Sequence, residues 1–89
     1  MKDDEASREL VREVELGRVH ARIWKNRSKV GESAYYEVSI VRAFVDGQGG
    51  VADTTFLGRD DLLLAARALD IAHAFICRLE EARGALRDK

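Results

Sequence analysis

The 89-residue sequence lacks proline, has a single cysteine, and contains no apolar run near the roughly 20 residues that a membrane span needs. Because Cys77 has no partner in the chain, it cannot form an internal disulfide, and a reducing cytoplasm is the expected location. The composition, 46% hydrophobic and 35% charged, is typical of a folded protein that does not enter the membrane.

Net charge is also nearly absent, since 15 basic and 16 acidic residues leave a formal charge of −1. This balance argues against a general polyanion binder, but the charges are unevenly distributed. Residues 17–30 carry five basic residues and no acid. A chain of this length forms one domain and buries only about 60 to 65% of its unfolded surface, so a partner chain could add useful core.

The first half of the sequence predicts strands. Residues 1–12 are expected to be a flexible acidic N-terminus, and residues 13–89 a single domain. Alternating apolar residues predict a strand over 13–25 with a bend or bulge at Gly17, a second over 35–45, and a third over 51–57. Loops are expected at "NRSKVGES" and at "DGQGG", whose glycines suit hairpin turns.

The second half predicts one helix. After Gly58 the apolar period changes from two to 3.6 residues, Asp60 or Asp61 can cap the first turn, and Gly84 is a natural stop. The predicted fold is therefore α+β: an antiparallel meander of three to four strands, followed by one long C-terminal helix on one sheet face.

The opening strand carries the strongest functional signal. Val19, Ala21 and Ile23 alternate with cations and an aromatic ring, so one face is predicted to be buried and the other basic. Cations neutralise phosphates and a flat ring stacks on an unpaired base, which points to single-stranded nucleic acid. The residues assigned to this surface are Arg18, His20, Arg22 and Trp24, extended by Arg27, Lys29 and Tyr35. The alternative is an ordinary solvated strand face or a surface for an anionic protein.

The helix predicts self-association. Its apolar sector spans roughly 160°, wider than the 100° or so that one docked face needs. One stripe, formed by Leu64, Ala68, Ile71, Phe75 and Ala82, is expected to face the chain's own sheet with its larger residues Leu64, Ile71 and Phe75. The adjacent stripe is expected to face a second copy in a homodimer and consists of Ala65, Leu69, Ala72, Ile76 and Leu79.

No catalytic, metal or cofactor site is predicted. His73 and Cys77 lie four residues apart on the helix, but two ligands do not make a zinc site. Asp53, Asp60 and Asp61 are more simply explained by caps and strand ends, and "GQGG" lacks the lysine and the following helix of a phosphate-binding loop. A thin two-layer domain also offers little room for a pocket that perturbs a pKa, so the chain is not expected to be an enzyme.

Two family resemblances accompany these patterns. "IWKN", "YYEVSIVRAF" and "DTTFLGRDDLLLAARALDIAHAFI" resemble a family of small uncharacterised bacterial proteins with a strand-rich half and a closing Arg-Asp-Asp-Leu-Leu helix, over about residues 16–76. More distantly, "ELGRVHARIWKN", "AYYEVSIVRAFVDGQGG" and the single helix resemble the single-stranded-DNA-binding domain of transcriptional positive cofactor four. That resemblance implies a dimer that binds single strands with basic and aromatic strand residues, and it adds Lys25 and Arg42 to Arg18, Arg22 and Trp24. Net acidity and a third strand without basic residues depart from that family's pattern.

The functional prediction is therefore a homodimeric module that binds single-stranded DNA or RNA. The alternative is a dimeric protein-interaction or regulatory adaptor without nucleic-acid binding. The five clustered basic residues together with Trp24 favour the first hypothesis, whereas an exposed apolar groove would favour the second.

Overall fold

The protein is a four-stranded antiparallel sheet with one long helix packed against it, as the sequence predicts. The computed structural model describes residues 8–27 and 34–87. The elements are β1 (Glu9–Leu16), β2 (Val19–Arg27), β3 (Ala34–Val45), β4 (Val51–Thr54) and α1 (Arg59–Arg87). Strand order in the sheet follows chain order, so the topology is a simple meander.

The first two strands form a tight hairpin, which corrects the prediction of one bent strand over 13–25. Leu16 pairs with Val19 and leaves only Gly17 and Arg18 in the turn. Gly17 has φ +61°, and a left-handed first turn residue followed by a residue of negative φ is typical of a type II′ hairpin. β1 also begins at Glu9, four residues earlier than expected, and its register shifts between Leu10 and Arg12.

The other two hairpins follow the predicted positions. β2 and β3 pair from Val19–Arg42 to Arg27–Ala34, and residues 28–33 of the predicted loop lie outside the described residues. In the β3–β4 turn, one carboxylate oxygen of Asp46 accepts hydrogen bonds from two backbone N–H groups of the turn, each at 2.9 Å. β4 ends at Thr54, three residues before the predicted end of that strand.

The N-terminus of α1 is capped by Asp61 rather than Asp60. The Asp61 carboxylate accepts a hydrogen bond from the Gly58 N–H at 3.0 Å. This is the capping-box pattern, in which the acid at the third helical position binds the backbone N–H of the N-cap residue. The side chain of Asp60 is 84% exposed. At the other end the helix runs to Arg87, so the prediction that Gly84 stops it was wrong.

Alanines hold the helix close to the sheet. Ala65, Ala68 and Ala72 are at most 6% exposed, and the first two pack with Val19 and Ala21 of β2. We call these three alanines the alanine seam. Larger residues such as Leu64 and Ile71 pack around this core. Among the described residues, no helix has both the length and the apolar character required to span a bilayer.

Candidate interaction surfaces

The structure divides the predicted nucleic-acid residues between two faces of the sheet. We call the face under α1 the helix face and the opposite one the outer face. Side chains in a strand alternate, and directly paired residues share a face. This rule places His20, Arg22, Trp24 and Tyr35 on the outer face, and Lys25, Arg27 and Arg42 on the helix face. Arg18 lies in the β1–β2 turn, and Lys29 lies outside the described residues.

His20 and Arg22 of the outer face contact acids of neighbouring strands. His20 Nδ1 lies 2.5 Å from Glu13 Oε2. Arg22 Nε lies 3.5 Å from the same Glu13 oxygen, and Arg22 Nη1 lies 3.3 Å from Asp53 Oδ2. The hydrogen bond from His20 lowers the pKa of Glu13, and the charge of Arg22 acts in the same direction against the effect of burial. This charge network therefore reduces the positive charge that the face can offer to phosphates.

Trp24 borders a shallow depression at the other end of the outer face. The depression has a volume of about 410 Å³ and is lined by Arg8, Trp24, Glu37, Val38 and Ser39. The indole Nε1 donates to Ser39 Oγ at 3.0 Å, and the Arg8 guanidinium lies 5.8 Å from the ring centroid. Because one ring face is already in contact with a cation, less of it is available for stacking on a base.

Arg18 and Arg42 both contact Asp61 of the helix. Arg18 Nε donates to Asp61 Oδ1 at 3.1 Å, and Arg42 Nε lies 3.5 Å from Asp61 Oδ2. Asp61 is only 2% exposed, so these contacts compensate a buried carboxylate. The Arg18 hydrogen bond lowers its pKa, and the Gly58 N–H and the charge of Arg42 act in the same direction. The prediction that Arg18 shares a face with Arg22 and Trp24 was therefore wrong, and Arg42, which the resemblance added, lies on the helix face.

Sequence reasoning missed Glu13, the acid of β1 that contacts both His20 and Arg22. Glu13 lies opposite Arg22, and Glu15 opposite His20, because the hairpin turn at Gly17 folds β1 back on β2. A two-residue turn assigned to Gly17 and Arg18 would have revealed both pairs. No comparable local signal relates Arg18 to Asp61, which are 43 residues apart.

The helix surface differs from the predicted dimer stripe. Ala65 and Ala72 are 6% and 1% exposed and lie against the chain's own sheet, so the prediction that they face a second copy was wrong. Because alanine side chains are small, the helix packs with its alanines against the sheet, and not with Leu64, Ile71 and Phe75 alone. Of the remaining predicted residues, Leu69 is 42% exposed, while Ile76 and Leu79 are half-buried.

A stripe that is apolar except for His73, and exposed except for the half-buried Ile76, lies beside the alanine seam. We call it the flank stripe, and it is formed by Leu62, Ala66, Leu69, His73 and Ile76. At 100° per residue these positions cover about 80° of the helix surface. Leu62 is 52% exposed and Leu69 42% exposed. Successive residues of the flank stripe are four and three residues apart in turn, which is the pattern of a helix that packs against another helix.

His73 and Cys77 form only a local contact. The Cys77 sulfur lies 3.6 Å from His73 Nε2. No group of three or more His, Cys, Asp or Glu side chains is arranged to hold a metal within the part of the chain that the structure describes.

The comparisons with known proteins give no further identification. No family model, curated protein or solved structure matches the chain, and the two resemblances noted in the sequence stay predictions.

Proposed function

We propose that the protein is a homodimeric protein-interaction module whose two copies meet through the flank stripe. The observation that carries the proposal is the exposure of Leu62 and Leu69 in a regular helical stripe that the chain's own sheet does not cover. The outer face supports an interaction role over polyanion binding, because its histidine and Arg22 are paired with acids.

The leucines of the flank stripe supply part of the free energy that association needs. Burying the exposed half of a leucine contributes about 1 kcal/mol, so Leu62 and Leu69 of two copies contribute about 4 kcal/mol before the costs of association. Ala66 and Ile76 add to this area. A micromolar dimer needs a net free energy of about 8 kcal/mol and association itself costs several kcal/mol, so the rest of the contact between the two copies must supply what the two leucines do not.

The outer face is then free to bind a partner protein. Tyr35 is 50% exposed on this face, and Trp24 lies near it beside the open depression. Tyrosine, tryptophan and arginine are the residues that most often anchor protein interfaces. A symmetric dimer presents two copies of this surface, which suits an adaptor that joins two partners. We further propose that the protein is not an enzyme and that it acts in the cytoplasm, the latter from its single cysteine.

Light scattering behind a sizing column tests the dimer. At tens of micromolar, the wild type should elute with twice the 10.0 kDa mass of one chain. Leu69→Glu should reduce the mass to one chain while circular dichroism stays unchanged, because an unpaired carboxylate cannot be buried at the interface. Leu63→Glu is the matched control, since Leu63 is 82% exposed and lies on another side of the helix. A wild type with the mass of one chain would contradict the proposal.

Single-stranded nucleic-acid binding is a second candidate, supported by Trp24 and Tyr35 on the same sheet face as Arg22. Fluorescence anisotropy with single-stranded DNA, RNA and duplex oligomers tests it at low salt. If the indole stacks on a base, Trp24→Ala should weaken binding by about 1 to 3 kcal/mol. Arg22→Ala should reduce the salt slope by about one, and Arg67→Ala on the helix should leave it unchanged. No binding by the wild type at micromolar concentration rejects this candidate.

A further inference from the structure

The flank stripe has a cation at one end and an acid at the other. Arg59 precedes Leu62 by three residues, and Glu80 follows Ile76 by four, so both continue the spacing of the stripe. The Arg59 side chain is 94% exposed, and its contact with Asp60 is a 3.5 Å pair on the surface. Glu80 is also exposed. Arg59, in contact with Asp60, is thus the exposed cation beside one end of the stripe, and Glu80 is the exposed acid at the other.

These charges give the stripe a direction. If two helices paired in parallel, Arg59 would lie next to Arg59 of the second copy, and Glu80 next to Glu80. If they paired in antiparallel fashion, the cationic end of each helix would lie beside the acidic end of the other. The helix dipoles act in the same sense, because the positive N-terminus of each helix then lies near the negative C-terminus of its neighbour.

We infer that the occupant of the flank stripe is a second copy of this chain with its helix antiparallel to the first. The inference rests on the proposed dimer and specifies its geometry. Leu69 lies close to the middle of the stripe, near the two-fold axis, and the Arg59 end of each copy contacts the Glu80 end of the other. The two-fold axis of an antiparallel helix pair leaves both alanine seams on the same side of that pair, so the two sheets lie side by side and both outer faces point away from the helices.

Charge reversal separates the two orientations. Arg59→Glu and Glu80→Arg should each weaken the dimer about tenfold at low salt, because two weak attractions per dimer become repulsions. The double variant Arg59→Glu/Glu80→Arg should restore the wild-type dissociation constant, since opposite charges meet again. Sedimentation equilibrium at low and high salt measures these constants. In a parallel pair the single variants keep like charges together, and neither the loss nor the rescue occurs.

Disulfide trapping gives an independent measurement. Leu62→Cys is placed in a Cys77→Ser background and oxidised. In the antiparallel pair the two engineered cysteines are separated by about 20 Å along the helices, far beyond disulfide reach, so no covalent dimer forms. Leu69→Cys in the same background is the control, because it lies near the axis and should cross-link.

The outcomes distinguish this inference from the proposed function. A wild type with the mass of one chain removes the dimer and the inference together. A stable dimer in which Leu62→Cys cross-links to itself, or in which the double charge variant fails to restore affinity, overturns the antiparallel arrangement and leaves the dimer intact.

Discussion

The alanine seam should not tolerate a larger side chain. Ala68 is completely buried and packs with Val14, Val19 and Ala21. Ala68→Leu adds three carbon atoms where the helix lies closest to the sheet, so the helix must move outward or the leucine must adopt a strained rotamer. Such overpacking costs about 1 to 3 kcal/mol. At about 4 to 8 °C per kcal/mol for a small domain, the melting temperature should fall by roughly 5 to 20 °C.

The assay is thermal unfolding followed by circular dichroism. It should be run at two protein concentrations, because dissociation of a dimer also shifts the melting temperature. Ala74→Leu is the matched control: it adds the same atoms at an exposed position of α1, outside both the seam and the flank stripe. The control should melt near the wild-type temperature. If Ala68→Leu also melts within about 2 °C of the wild type, then the close approach of helix and sheet does not depend on the small side chains of the alanine seam.

Three further predictions concern single groups. The pKa values of Glu13 and Asp61 are lowered in the folded protein, so as the pH falls the unfolded chain binds protons before the folded one does. The protein should therefore lose stability, and the urea midpoint should fall, as the pH drops below about 4.5. Asp61→Asn should make the urea midpoint less dependent on pH. Gly17→Ala should lower the free energy of unfolding in urea by about 1 to 2 kcal/mol, because residue 17 has φ +61°, which alanine adopts only with strain. A variant with the wild-type urea midpoint would contradict this explanation. A chelator should leave the melting curve unchanged, because His73 and Cys77 alone cannot hold a structural metal; a clear loss of stability would reverse this conclusion.

The burial pattern of the sheet could be predicted because alternation in a strand is a short-range property. Val19, Ala21 and Ile23 were expected to be hidden, and all three are 0% exposed. The change of period after Gly58 likewise identified α1. Both features depend on residues close in sequence, and no distant partner is needed to interpret them.

The features that could not be predicted depend on contacts between distant residues. The cations of residues 17–30 looked available because the sequence does not show which acid lies across the sheet. The charge network and the Asp61 contacts exist only after the strands have paired and the helix has docked. The positions of Ala65 and Ala72 were misjudged for a related reason: alanine is weakly hydrophobic, but its small volume allows a close approach to the sheet. Space, as well as hydrophobicity, decided which side of the helix was buried.

The irregular register of β1 has a consequence for behaviour at high concentration. Within the described residues no strand pairs with the outer edge of β1, and an open edge of this kind can recruit another chain into a growing sheet. The shift between Leu10 and Arg12 interrupts the regular ladder along that edge. A second copy approaching there would meet mismatched hydrogen-bonding groups. β1 is thus protected against aggregation, and copies that stack edge to edge into fibrils are disfavoured.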